Sequence, residues 1–208
     1  MSDGSTVAGV LLVAGPVLGM FGFYDLGLYR VWGRPREEFL ATVGAHRRGW
    51  MGINAGFTIA TILTSAGLVI LPGALDVAQG PRAVLIAIAI AYALAGALWC
   101  AVLAIRDRTT PALAAMVAAG TSTELAETLL GGVTGGMFAA FALTTGFALI
   151  GLGLTLTVVG GVAVLVAGFS VLIGAVAVAT FAVSGNLIPA VLYFPTLVIG
   201  IALLVGWS

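Results

Sequence analysis

The chain has 208 residues, of which 61% are apolar and 8% charged, with eight Arg, no Lys, eight acids and one His. A soluble domain carries about 25% charged residues to satisfy water, whereas Thr128 to Ser208 contains none here. This balance excludes an ordinary water-exposed fold, and the lack of a large basic stripe argues against nucleic-acid binding.

The expected class is an all-α integral membrane protein, a polytopic bundle of about six transmembrane helices, each needing about 20 mostly apolar residues. Helix 1 is read over 7–29. Met1 to Thr6 lacks the basic start of a secretory signal and the apolar run is long, so this helix is read as retained. Asp25 lies in it beside Tyr24 and Tyr29. It is either an interfacial acid paired with a loop Arg, or a carboxylate coupling transport to protons or cations.

A polar loop, 30–48, holds Arg30, Arg34, Arg36, Arg47 and Arg48. After Pro35 it suggests a short amphipathic helix with Phe39, Leu40 and Val43 on one side. The simpler reading is an interfacial helix whose Arg set the topology and touch anionic headgroups; the sharper alternative makes Arg47, Arg48 and His46 a phosphate or lipid-headgroup site, with His46 as an acid or base.

Helix 2 is expected over 49–71 and stops at Pro72-Gly73. Asn54, Thr58, Thr61 and Ser65 recur at spacings that share one face. Polar groups at this depth face protein or water, so they are either hydrogen-bonded packing or the wall of a substrate path. Helix 3 is expected over 83–105 and ends at Arg106-Asp107-Arg108. The apolar piece 111–119 is half a span, read as an interfacial or re-entrant segment.

Helix 4 is expected over 124–150, with Thr121 as N-cap and Glu124 closing a capping box. Glu124 and Glu127 lie one turn apart and suit a helix start; the alternative is a cation or proton entry. The glycines at 151 and 153 suggest a turn, then helix 5 over 154–183, a turn at Ser184-Gly185-Asn186, and helix 6 over 188–205. Matches between 15–21 and 132–138, and between 55–59 and 167–171, admit two inverted three-helix repeats; chance similarity among Gly- and Ala-rich helices is the alternative.

Seven of the eight Arg fall in two loops on one side, leaving Arg82 on the other. The positive-inside rule then makes loop 30–48 cytoplasmic in a plasma (inner) membrane, with both termini outside. Small residues at four-residue spacing, Ala83 to Ala95, Gly131 with Gly135, Gly132 with Gly136, Gly15 with Gly19 and Gly52 with Gly56, suggest close helix contacts. They would lie within the molecule or form a homodimer seam.

The single Cys100 excludes an internal disulfide framework and a thiolate-rich zinc site. A lone His46 supports no haem or metal, and without Lys there is no retinal Schiff base. No cofactor and no catalytic set are expected. A small-solute or ion transporter is the leading expectation. A structural or anchoring subunit of a membrane complex is the alternative, and a lipid-modifying enzyme comes third.

Overall fold

The computed structural model describes residues 3–21, 28, 34–75, 77–160 and 162–206. Among them there are helices and turns and no strand. The helices are α1 (Asp3–Phe21), α2 (Arg36–Ala45), α3 (Arg47–Ala74), α4 (Gln79–Ala118), α5 (Glu124–Val159), α6 (Val164–Ser184) and α7 (Phe194–Val205). A 3-10 turn, Pro189–Tyr193, leads into α7. Asp25 lies outside the described residues, as does most of helix 1 beyond Phe21.

Five helices, α1, α3, α4, α5 and α6, are long and apolar enough to cross a membrane. The sixth expected span is shorter, a 3-10 turn plus the 12 residues of α7. Large apolar side chains cover the outside as well as the core: Leu94 is 65% exposed, Leu165 81% and Val183 89%. Helices apolar on all sides are stable only in a core or in lipid.

Several expected helix ends shift: α3 runs through Pro72-Gly73, the expected stop, to Ala74, and α4 and α5 extend further still. The charged triplet Arg106-Asp107-Arg108 ends an apolar run, but charge does not stop a helix and Arg favours one. Accordingly α4 continues through them and through Pro111 to Ala118, forming one helix of 40 residues. Residues 111–118 are therefore the last turns of α4 rather than a separate segment. Likewise α5 runs through Gly151 and Gly153 to Val159. Gly153 faces the Ala167 carbonyl of α6, where a Cβ would collide, so it serves contact rather than a turn. The chain reverses at Gly160, whose φ of +66° is the left-handed conformation glycine accepts most readily.

The start of α5 is also displaced. Its N-cap is Thr123, two residues beyond the Thr121 of the expected capping box. Thr123 Oγ1 donates to Glu127 Oε1 at 2.7 Å, one turn on.

Neighbouring legs run antiparallel. Gly9 meets Gly200, Gly15 meets Ala60 and Thr64, and Gly146 meets Gly174. Around the bundle the order is α7, α1, α3, α4, α5, α6, with α6 returning to α7 and the 3-10 turn. Asp3 and Val205 thus share one end, the terminal end. The opposite end carries α2, which packs on the last turns of α4 through Leu40, Leu113 and Ala114. An aromatic row crosses the interior: Tyr193 stacks on Phe57 at 6.4 Å between centroids, Trp99 on Phe141 at 5.1 Å, and Phe57 meets Trp99 edge-on at 6.4 Å.

Candidate binding cavity

Three hollows open at the α2 end, and each follows from how the helices enter it. The largest, about 640 Å³, lies between the first turns of α3, the middle of α4 and the first half of α5. Trp50, Ile53, Asn54 and Phe57 come from α3; Trp99, Val102, Leu103 and Arg106 come from α4. The third wall is Gly131, Thr134, Gly135 and Phe138 of α5, and Asn186 to Pro189 close the remaining side. A Cβ at Gly131 or Gly135 would meet nothing within 4 Å, so the helix stands away from its neighbours.

A second hollow of about 500 Å³ shares Arg106, Gly131 and Thr134 with the first. It adds Arg34 and Arg36 from the α2 side, Phe39, Thr109, Thr110 and Leu113, and Glu127 and Leu130 from α5. Arg36 Nε donates to Glu127 Oε2 at 2.9 Å and ties α2 to the start of α5. Both Glu127 oxygens are thus engaged, one by Arg36 and the other by Thr123. The Arg36 guanidinium also lies 5.4 Å from the centre of the Phe39 ring.

Arg106 stands where the two hollows join. Its guanidinium sits over the Trp50 ring at 5.2 Å, within cation–π range, and Trp50 Nε1 donates to the Arg106 carbonyl oxygen at 3.2 Å. Trp50 is fully buried and held edge-on by Phe39 at 5.6 Å. This doubly fixed Trp presents Arg106 toward the cavity rim.

The third hollow, about 470 Å³, lies on the outer side between α3 and α4 and is lined by Asn54, Thr58, Leu103 and Asp107 among others. Asn54 Nδ2 and Asp107 Oδ1 are buried there without a hydrogen-bond partner. A donor and an acceptor left unpaired on one wall are each costly.

The polar face expected on helix 2 is divided by this geometry. Asn54 reaches the largest hollow and, with Thr58, the outer one, while Thr58 Oγ1 donates back to the Asn54 carbonyl at 2.9 Å. Thr61 lies deeper, fully within packing, with its hydroxyl 2.6 Å from the Tyr193 hydroxyl. Ser65 faces Gly96 of α4, where a Cβ would stand 3.2 Å from its Oγ. Of the two acids, Glu127 lines a hollow, whereas Glu124 is exposed and lines none of the three. His46, Arg47 and Arg48 are exposed and likewise line none of them.

Sequence reasoning missed Arg34, Arg36 and Arg106 as cavity residues, along with Trp50, Trp99, Thr134, Phe138 and Asn186. One signal was available: Arg106 follows Trp99, Val102 and Leu103 at helical spacing, which places it on the same inward stripe. Among the described residues no group of three or more His, Cys, Asp or Glu is gathered to hold a metal ion. The arrangement offers guanidinium and amide donors, hydroxyls and aromatic faces, which suits binding more than bond-making. Comparison with protein-family models, with curated proteins and with solved structures finds no match.

Proposed function

We propose that the chain is an integral membrane protein that binds a small solute in the cavity at its α2 end and moves it across the bilayer. The bundle spans the membrane with six legs, α7 and its 3-10 turn forming the short one. The α2 end faces the cytoplasm and both termini lie outside, following the Arg distribution. With a rise of about 1.5 Å per residue and a hydrocarbon core of about 30 Å, α4 and α5 are too long to be contained in lipid. Their overhang builds the cytoplasmic mouth. The observation that carries the reading is the hollow of about 640 Å³, within the range of small-molecule sites.

Sided labelling tests this. Asn54→Cys and Thr134→Cys, each in a Cys100→Ala background, are exposed to an impermeant maleimide in sealed vesicles of both orientations. A transporter labels from both faces, because its cavity opens alternately. Labelling from the cytoplasmic face alone would reduce the protein to a binding module.

A second reading rests on a different observation. Gly132 and Gly136 lie exposed on α5, and a Cβ at either would meet nothing within 4 Å. Such a ridge suits close approach of another helix, as an anchoring subunit of a membrane complex requires. Gly132→Leu with Gly136→Leu should then break a stoichiometric complex seen by native mass spectrometry. An unaltered mass removes this reading.

A further inference from the structure

We propose that the outer hollow between α3 and α4 is a lipid site, in which Asn54 and Asp107 hold the free hydroxyl of a lipid head and the apolar groove beside them holds its chain. The inference rests on the membrane placement in the reading above and is independent of transport.

The polar pair sets the chemistry of the head. Asn54 is 5% exposed and Asp107 is half-buried, yet Asn54 Nδ2 and Asp107 Oδ1 are buried without a hydrogen-bond partner. Both residues line this hollow. One atom donates and the other accepts, so a single group that satisfies both must accept from the amide and donate to the carboxylate. A hydroxyl does this; an ammonium only donates, and an ester or phosphate oxygen only accepts. The bond to the carboxylate is charge-assisted, hence among the stronger ones. A water molecule has the same two capacities, but it takes about 30 Å³, whereas the hollow measures about 470 Å³.

The rest of the wall says what the hydroxyl is attached to. Met51, Ala55, Ile59, Leu103 and Ala104 are apolar, and Met51 is 43% and Ile59 49% exposed on the outside of the bundle. Trp50 bonds the Arg106 carbonyl while Thr61 meets Gly96, so α3 and α4 run antiparallel with Asp107 nearest the α2 end. Ala55 and Ile59 follow deeper along α3. Polar groups at the rim and an apolar groove running inward match the order of a lipid, head at the interface and chain toward the bilayer centre. A soluble polyol would leave that groove uncovered, whereas a lipid already lies against it.

The test places the full chain in phosphatidylcholine nanodiscs doped with dioleoylglycerol and its methyl ether, and reads the retained lipid by native mass spectrometry. The ether lacks the hydroxyl proton that Asp107 would accept. Dioleoylglycerol should be retained about tenfold more than the ether. Equal retention overturns the proposal, since the polar pair then binds water only. With dioleoylglycerol and phosphatidylethanolamine as the doped lipids, preference for the ethanolamine lipid also overturns it, because Asp107 then takes a cation.

Asn54→Leu with Asp107→Leu removes the pair and should abolish the preference for dioleoylglycerol. Neither unpaired atom has a bond to lose, so the yield of folded protein in a detergent unfolding titration should not fall. Ala55→Phe fills the groove from the exposed side of α3, leaves the pair intact and should lower dioleoylglycerol retention to that of the ether. A preference that survives either change overturns the site. Two-sided labelling of Thr134→Cys without the preference rejects the lipid site and leaves transport standing; the preference without such labelling does the reverse.

Discussion

Two helix faces use the same residue to opposite effect. Where α5 meets α6 and α1 meets α7, glycines bring backbones together: a Cβ at Gly174 would stand 2.6 Å from the Gly146 carbonyl oxygen, and one at Gly200 2.9 Å from that of Gly9. In the first half of α5, a Cβ at Gly131, Gly132, Gly135 or Gly136 would meet nothing within 4 Å. Four-residue spacing of small residues is common to both regions. It makes close approach possible without making it happen, because the outcome depends on what the facing helix presents. Across from Gly146 stands another glycine; beside Gly131 stand Arg106 and Trp50, too large to let the helices close.

Substitutions can break or sharpen this contrast. The largest effect is expected for Gly174→Leu, which must push its side chain into the α5 backbone. About 3 kcal/mol or more of stability should be lost, read as loss of folded protein in a detergent unfolding titration. A stable Gly174→Leu protein would mean that the α5–α6 contact is loosely packed. Next comes Trp50→Ala, which removes a fully buried ring together with its bond to the Arg106 carbonyl. Its cost should be about 3 kcal/mol, with freer exchange of the α2 amides by hydrogen–deuterium mass spectrometry. An unchanged α2 would show that Leu40 and its partners on α4 hold that helix alone.

A smaller effect is expected at the buried hydroxyl pair. Tyr193→Phe leaves the Thr61 hydroxyl with its bond to the Phe57 carbonyl at 2.7 Å, so the loss should be about 1 kcal/mol. Loss of several kcal/mol would instead assign the 3-10 turn a central role in holding the interior together. The smallest effect belongs to Gly132→Ala, which meets open space and gains helix propensity. Stability should rise by about 0.5–1 kcal/mol. A clear loss there would show that the open face is covered by a partner in the membrane.

Much of the architecture was legible because its causes are local. Apolar residues on every face announce helices, and the short helix after Pro35 is present as α2, with Leu40 and Val43 buried as the pattern implied. Misreadings cluster where a local signal has two physical meanings. Arg106-Asp107-Arg108 ends an apolar stretch but not a helix, so α4 continues. Gly153 resembles a turn residue and is in fact a contact residue. Asn54, Thr58, Thr61 and Ser65 share a face by spacing, yet only Asn54 and Thr58 reach a hollow, because α4 and Tyr193 cover the rest.

The sequence by itself determined the helical class, the apolar exterior and the gathering of seven of the eight Arg in 30–48 and 106–108, since side-chain chemistry and helical period settle these without reference to partners. Tertiary structure alone decided which glycines touch and which stand open, and that Arg34, Arg36 and Arg106 converge while Arg47 and Arg48 remain outside. Those outcomes depend on distances between segments remote in the chain. No local pattern encodes such distances until the helices have packed.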